Sequence, residues 1–168
     1  MRKLDLQTDK MLAHVEEGIG WITFNQPEKR NAVSYAMWQA IPQIIDDFTS
    51  SDDVRVVVMK GAGDKAFVSG ADISEFEKLR STPEQIETYN AVTSTSSTAL
   101  RSLEKPLIAM IRGFCVGGGL AISLAADLRI SAIWVVGLLS FWVIDAMLMP
   151  NSPNILVICA NTPALSGT

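Results

Sequence analysis

The sequence has few of the residues that build metal, disulfide or nucleic-acid sites. Its 168 residues include one histidine and two cysteines. Cys115 and Cys159 lie in apolar surroundings without metal-ligand spacing, so no metal site or disulfide framework is expected, and a reducing, cytoplasmic setting is indicated. The formal net charge of −4 offers no basic face for phosphates, so we expect no nucleic-acid partner.

Charged residues are nearly absent from the C-terminal region. From Ser131 to Thr168 the only charged residue is Asp145, whereas the charges before Ser131 are spread as in an ordinary globular domain. The N-terminal segment mixes acidic and basic residues without an apolar core, which predicts neither a signal peptide nor a transit peptide. We therefore expect a core over residues 1–131 and an apolar tail over residues 132–168.

Three interpretations of the tail stay open. Residues 132–149 are near the lower length limit for a membrane span, but Asp145 interrupts them and no Lys or Arg flanks them, so a membrane partner is not favoured. The tail is alternatively a native interior strand and helix. The third interpretation is truncation, alternative splicing or a shifted reading frame near Ser131, and the sharp change in charge content there favours it.

The core has the element order of an α/β fold. Residues 11–15 and 20–24 are predicted to form a hairpin, and residues 54–59 and 107–111 to form buried strands. Ser34 is expected to cap a helix bent at Pro42. Two further helices are predicted after Asp72 and Thr82, each with a capping box, and a buried helix over residues 120–126.

Two loops place small residues where a strand is followed by a helix. They are residues 67–72, with the sequence FVSGAD, and residues 113–119, with the sequence GFCVGGG. The first N–H groups of a helix have no internal partner, and glycine lets the backbone approach a ligand closely. Two such loops converging on one oxygen would form an oxyanion hole suited to enolate chemistry.

Three segments in order carry a family resemblance. NQPEKRNA at residues 25–32, KAFVSGADI at residues 65–73, and KPLIA followed by GFCVGGG at residues 105–119 resemble the successive signature blocks of the crotonase (enoyl-CoA hydratase/isomerase) superfamily. The resemblance covers the N-terminal half of a family domain. It implies a crotonase-like (ClpP/crotonase) ββα spiral core, truncated at its C-terminal end, that binds an acyl-CoA thioester.

The resemblance also implies roles for particular residues. Ala71 and Gly118 match the positions whose backbone N–H groups bind the thioester oxygen. Coenzyme A is then part of the substrate, so no separate cofactor is expected. The residues implied to contact coenzyme A are Lys29, Arg30, Ala66, Gly70, Asp72, Ile73 and Gly117.

The glutamates that hydratases of the family use as acid and base have no match here. The first position is Ala121, which transfers no proton, and the second would lie past Ile130, where the sequence departs from the family pattern. Two functions stay open: an enzyme of fatty acid metabolism acting on acyl-CoA thioesters, or an inactive homologue that binds coenzyme A or associates with other subunits. Family members form trimers or pairs of trimers, which is not assumed for this shortened chain.

Overall fold

The computed structural model describes residues 1–132 and 157–159, and within them most strands form one seven-stranded sheet. The strands are β1 (Arg2–Lys3), β2 (Met11–Glu16), β3 (Ile19–Phe24), β4 (Val56–Gly61), β5 (Ala66–Val68), β6 (Leu107–Arg112), β7 (Phe114–Cys115), β8 (Leu128–Ala132) and β9 (Val157–Cys159). The order in the main sheet is β1-β2-β3-β4-β6-β8-β9, and β5 pairs with β7 in a small second sheet. The helices are α1 (Tyr35–Ser50), α2 (Phe76–Leu79), α3 (Pro83–Ser102) and α4 (Gly118–Leu124).

The sheet begins antiparallel and continues parallel. β2 and β3 form the predicted hairpin, with Met11 opposite Phe24. β3, β4, β6 and β8 are then parallel neighbours, so each connection is a crossover that carries a helix or a long loop. The carboxyl ends of β4 and β6 both lead into glycine-containing turns, and the α/β class is confirmed.

Helices α1 and α3 carry the start signals that the sequence predicts. The Ser34 side chain accepts a hydrogen bond from the Met37 amide, and Thr82 forms the expected capping box with Gln85, with Pro83 in the first turn of α3. The two helices are joined at a buried point, where the Ser96 hydroxyl donates to the Trp38 carbonyl. This contact fixes the position of Trp38 relative to α3.

The prediction of a capping box at Asp72 is correct for the Asp72 cap and wrong for the Glu75 side chain. Asp72 does cap a turn, since its side chain accepts from the Ser74 amide, but the turn is a short 3₁₀ helix, Ile73–Glu75, followed by the four residues of α2. The Glu75 side chain does not complete a capping box by accepting a hydrogen bond from the Asp72 amide. Its carboxylate instead accepts a hydrogen bond from the Tyr35 amide at 2.7 Å and so joins this loop to the start of α1.

Helix α4 begins within the glycines and is anchored at its other end. It starts at Gly118, two residues before the predicted start. The fully buried guanidinium of Arg129 donates to the carbonyls of Ser123 (3.0 Å) and Ala126 (2.7 Å), which satisfies acceptors at the helix end. The Asp127 carboxylate accepts a hydrogen bond from the Leu107 amide at 2.8 Å, so its role is structural.

Most of the apolar tail lies outside the described residues, and the three interpretations of it stay predictions. Its described part is β9, which pairs parallel to β8 with Ile130 opposite Ile158. None of the helices in residues 1–132 combines the length and the apolar character that a membrane crossing requires. The described part of the tail thus extends the main sheet by one strand.

Candidate functional site

The loop after β5 is held in place by the segment that precedes α1. Val33 donates its amide to the Gly70 carbonyl at 2.8 Å, and its own carbonyl accepts from the Asp72 amide at 2.9 Å. This parallel bridge engages the Gly70 carbonyl and the Asp72 amide, which lie on either side of Ala71, and does not involve the Ala71 N–H. No acceptor for that N–H occurs among the hydrogen bonds of residues 1–132. The loop therefore presents a fixed, unpaired donor.

The glycine loop before α4 lies directly against this donor. Its Val116 amide donates to the Val68 carbonyl, which ties the glycine loop to the end of β5. A Cβ placed on Gly118 would lie 3.6 Å from the Ala71 nitrogen, so residues 71 and 118 are neighbours in space although 47 positions apart in sequence. Gly118 opens α4, where an amide has no helical partner, and no other acceptor for it occurs in the described part of the chain.

Positive backbone φ angles are needed where the two loops meet. Gly70 has φ 118° and Gly117 has φ 54°, conformations that residues with a Cβ adopt at a cost. A Cβ on Gly117 would lie 3.7 Å from the Gly70 Cα, which shows how closely the two backbones approach. The predicted site residues Gly70, Ala71, Gly117 and Gly118 are thus brought together by the fold.

A buried carboxylate links this loop to the first signature segment. Asp72 is 4% exposed and accepts hydrogen bonds from the Lys29 ammonium (2.8 Å) and the Gln26 side chain (3.1 Å). Burial alone would raise the pKa of Asp72, but the hydrogen bonds from Lys29, Ser74 and Gln26 outweigh it and hold the pKa far below its ordinary value. Lys29 also donates to the Ser74 hydroxyl at 2.8 Å. These contacts fix Lys29 at the edge of the site.

Replacing Asp72 by Asn is expected to destabilise the fold by about 2 kcal/mol at neutral pH, because the ammonium and amide donors lose a charged partner. Since the folded pKa lies below the unfolded value near 3.8, the contribution is complete above that pH and declines as the pH falls toward the folded pKa. Urea unfolding at pH 7 and pH 3 measures the free energy of unfolding. The difference in this free energy between wild type and Asp72→Asn should be smaller at pH 3 than at pH 7. Asp64→Asn, which removes an exposed carboxylate, should change neither midpoint, and a gap that widens in acid would contradict the assignment.

The remaining residues predicted to contact coenzyme A are in different settings. The Arg30 guanidinium lies 4.9 Å from the centre of the Phe114 ring, on the exposed surface beside the glycine loop. Ile73 is 76% exposed next to Asp72. Ala66 is 2% exposed in β5, so its side chain is enclosed by protein. Arg30 and Ile73 therefore border the site on its open side, while Ala66 supports it from within.

Asn31 organises the first signature segment, a role that the sequence analysis missed. This fully buried residue has φ 56°, and its amide group donates to the carbonyls of Ala62 and Ala66 at 2.9 and 2.8 Å. Its side-chain oxygen accepts from the Gln26 amide. Asn tolerates the left-handed conformation better than most residues, which is the signal in the sequence that points to such a turn.

Trp38 is a second residue that the sequence analysis left out. Its Cζ2 atom would be 3.8 Å from a Cβ on Gly118, and the side chain is 6% exposed. Its indole N–H has no acceptor with normal hydrogen-bond geometry in the described part of the chain. The signal was its spacing of three and seven residues from the core positions Ile41 and Ile45.

Acid and base groups are scarce close to the two amides. Ala121 lies exposed on α4, where the family resemblance places the first glutamate, and its methyl side chain transfers no proton. The second expected glutamate position falls outside the described residues. Burial raises the pKa of the Cys115 thiol, which favours the unreactive protonated form. The described residues around the two amides therefore present hydrogen-bond donors and no assigned proton-transfer pair.

The chain is similar to known proteins of one family over most of its length. The sequence profile of the enoyl-CoA hydratase/isomerase family matches residues 14–134. A short-chain-enoyl-CoA hydratase of Clostridium acetobutylicum is 29% identical over 127 residues, covering 76% of this chain and 48% of that protein. A hydroxycinnamoyl-CoA hydratase-lyase of Pseudomonas fluorescens is 34% identical over 121 residues, covering 70% of this chain and 44% of that protein.

The fold is shared with solved structures of the same family. An enoyl-CoA hydratase/carnithine racemase from Magnetospirillum magneticum superposes with a TM-score of 0.72 at 31% identity, covering 84% of this chain and 57% of that chain. The predicted crotonase-like fold is confirmed. This chain spans about half the length of the curated relatives it matches. With a family profile matching most of its length, the chain belongs to the enoyl-CoA hydratase/isomerase family of the crotonase superfamily.

Proposed function

We propose that this chain binds an acyl-CoA thioester and holds the thioester oxygen between the backbone N–H groups of Ala71 and Gly118. The observation that carries the proposal is the adjacency of two N–H groups without partners in the described residues, on loops tied together by the Val116–Val68 hydrogen bond. Backbone donors of this kind need no reorganisation when negative charge develops on the oxygen. The reaction class that benefits is formation of an enolate next to the thioester.

Coenzyme A would lie along the open side of the two loops. An ammonium group has three donors, and Lys29 uses two of them on Asp72 and Ser74, which leaves one for a phosphate oxygen. Arg30, exposed on the Phe114 ring, supplies a second cation. The backbone wall of the coenzyme A site would be formed by Gly70, Asp72, Ile73 and Gly117. Buried Ala66 would support this wall. Coenzyme A enters as part of the substrate, and the cytoplasm stays the expected compartment.

A second candidate function follows from Ala121. With a methyl group where the resemblance places a catalytic glutamate, the described residues bind and polarise a carbonyl without an assigned acid or base. The chain would then act as a CoA-binding or subunit-interaction module. Adding water to a 2-enoyl thioester requires a proton donor and a proton acceptor, so turnover separates this candidate from an enzyme.

Three measurements on the full chain test these proposals. Calorimetry with butyryl-CoA, compared with free coenzyme A, should show tighter binding of the thioester. Infrared spectroscopy of a thioester labelled with ¹³C at the carbonyl should show a lower carbonyl stretching frequency in the complex, because two donors polarise the bond. Hydration of crotonyl-CoA would identify an enzyme, and binding with a shifted carbonyl but no hydration would identify the module. Absence of thioester binding would refute the enzyme and the CoA-binding form of the module.

A further inference from the structure

Arg30 contacts both of the loops that carry the proposed oxygen donors. Its backbone carbonyl accepts a hydrogen bond from the Ser69 amide at 3.1 Å, and Ser69 lies two residues before Ala71. Its guanidinium lies 4.9 Å from the centre of the Phe114 ring, and Phe114 lies four residues before Gly118. The backbone of Arg30 is therefore bound to one donor loop, and its side chain is stacked on the other.

Phe114 is part of the short strand that leads into the glycine loop. It pairs with Ala66 in the small second sheet, and its amide donates to the Lys65 carbonyl at 3.1 Å. Its ring is 52% exposed, so the guanidinium of Arg30 covers part of an apolar surface that would otherwise face water. A change in the position of this guanidinium therefore acts on the strand that precedes Gly118.

The turn that carries Arg30 is strained and is fixed by its hydrogen bonds. Arg30 and Asn31 have φ 52° and 56°, in the left-handed region that residues with a Cβ adopt at a cost. The Arg30 amide donates to the Pro27 carbonyl at 3.0 Å, and the buried Asn31 side chain donates to the Ala66 carbonyl at 2.8 Å. Because these bonds hold the turn against β5, a shift of Arg30 is passed to the loop that follows this strand.

Lys29 is bound to the same loop on both sides of Ala71. Its carbonyl accepts a hydrogen bond from the Ser69 hydroxyl at 3.3 Å, and its ammonium donates to the Asp72 carboxylate at 2.8 Å. The two cations proposed to contact the phosphates of coenzyme A thus belong to the hydrogen-bonded unit that positions the Ala71 amide. Binding energy from a distant part of a substrate can be used in this way to position groups at the reacting centre.

We propose that the nucleotide end of coenzyme A, by binding Lys29 and Arg30, sets the relative position of the Ala71 and Gly118 donors. Arg30 is the positioning residue, because a phosphate that restrains its guanidinium also restrains its contacts with the two donor loops. The thioester carbonyl is then fully polarised only when the complete coenzyme is bound, and a thioester on a shorter carrier is polarised less. The inference rests on the proposed function, since it concerns the same two donors.

Dividing coenzyme A into two halves tests the proposal on the full chain. Butyryl-pantetheine, labelled with ¹³C at the carbonyl, supplies the thioester, and adenosine 3′,5′-bisphosphate supplies the nucleotide. Calorimetry should show that each half tightens the binding of the other by the same factor, about 5-fold or more, as thermodynamic linkage requires. Infrared spectroscopy should show that the bisphosphate further lowers the carbonyl stretching frequency of bound butyryl-pantetheine.

Phe114→Leu separates the positioning role of Arg30 from its role as a phosphate contact. The variant removes the stacked ring and keeps the cation, and because the ring is half exposed the fold should be retained. Affinity for the bisphosphate alone should stay within about twofold of wild type, whereas the mutual tightening and the added frequency shift should largely disappear. Arg30→Lys, which keeps a cation without a planar stacking face, should have the same effect. Phe76→Leu is the matched control, since it removes the ring that lies 4.7 Å from the Arg80 guanidinium, and should leave both effects unchanged.

The outcomes distinguish this inference from the function on which it depends. Independent binding of the two halves, failure of either half to bind in the presence of the other, or an unchanged carbonyl frequency would overturn the coupling. Mutual tightening that persists in both Phe114→Leu and Arg30→Lys would show that the halves contact each other directly, and would overturn the role of Arg30. Each of these results leaves the proposed function intact as long as butyryl-CoA binds with a shifted carbonyl. Failure of butyryl-CoA to bind would instead refute the proposed function.

Discussion

Gly119→Ala is expected to unfold the protein or to lower its stability by about 3 kcal/mol or more, whereas Gly118→Ala, one residue earlier in α4, is expected to leave it folded. A Cβ on Gly119 would lie 2.1 Å from the Val68 carbonyl oxygen and 2.9 Å from the Val68 carbonyl carbon. Those atoms belong to the backbone of β5 and have no rotamer to change, so either the strand or the helix must move. A loss of this size is a large share of the stability of a typical domain.

Gly118→Ala is the matched control because it makes the same chemical change in the same helix. Its Cβ would lie 3.6 Å or more from the Ala71 nitrogen and the Gly70 carbonyl carbon, and 3.8 Å from Trp38, which are ordinary contact distances. Alanine favours a helix over glycine by up to about 1 kcal/mol, and this preference acts in favour of both variants. Thermal unfolding followed by circular dichroism gives the comparison. Equal midpoints for the two variants would contradict the packing described at Gly119.

The contrast between these two glycines also shows what the sequence reveals and what it does not. The triple glycine predicts a close backbone approach, but three adjacent glycines look alike in the sequence. Only the position of β5 decides which of them lies against a strand and which lies beside the Ala71 amide. Such assignments depend on the arrangement of distant segments, and local propensity carries no information about them.

Features that depend on neighbouring residues were predicted well. Ser34 and Thr82 cap their helices as expected, because a cap depends on residues within one turn. The hairpin and the parallel strands also follow from local alternation and from β-branched runs. Glu75 was misassigned because its carboxylate has two possible amide partners, one within its own turn and one 40 positions away at Tyr35. Tertiary structure selected the distant amide.

The environment of Lys29, within the candidate site, also depends on distant segments and could not be predicted from the local sequence. The family resemblance implied an ammonium group that is available to phosphate, and the structure pairs that group with buried Asp72. The buried state of Asp72 was not predictable, because Asp usually caps helices at the surface. The Trp38 carbonyl and the Ser96 hydroxyl are a further example, since 58 positions separate them and only the packing of α1 against α3 brings them together.

Gly118→Pro is expected to remove one of the two proposed oxygen donors while keeping the fold. Residue 118 is the first residue of α4, a position where the fixed φ of proline suits a helix and where the missing N–H has no helical partner to lose. Without this donor, affinity for butyryl-CoA should fall about 5- to 10-fold. The carbonyl stretching frequency of the bound ¹³C-labelled thioester should return part of the way toward its value in water.

Gly118→Ala separates the loss of the donor from the effect of a Cβ at this position. Alanine retains the N–H, so its carbonyl frequency should stay closer to wild type than that of Gly118→Pro. Any crotonyl-CoA hydration by the wild-type chain should fall roughly 100-fold or more in the proline variant, the usual effect of deleting one donor to a developing oxyanion. Wild-type affinity and carbonyl frequency in a folded Gly118→Pro protein would show that the amide of residue 118 does not bind the thioester oxygen. The role of Ala71 would then need a different second donor.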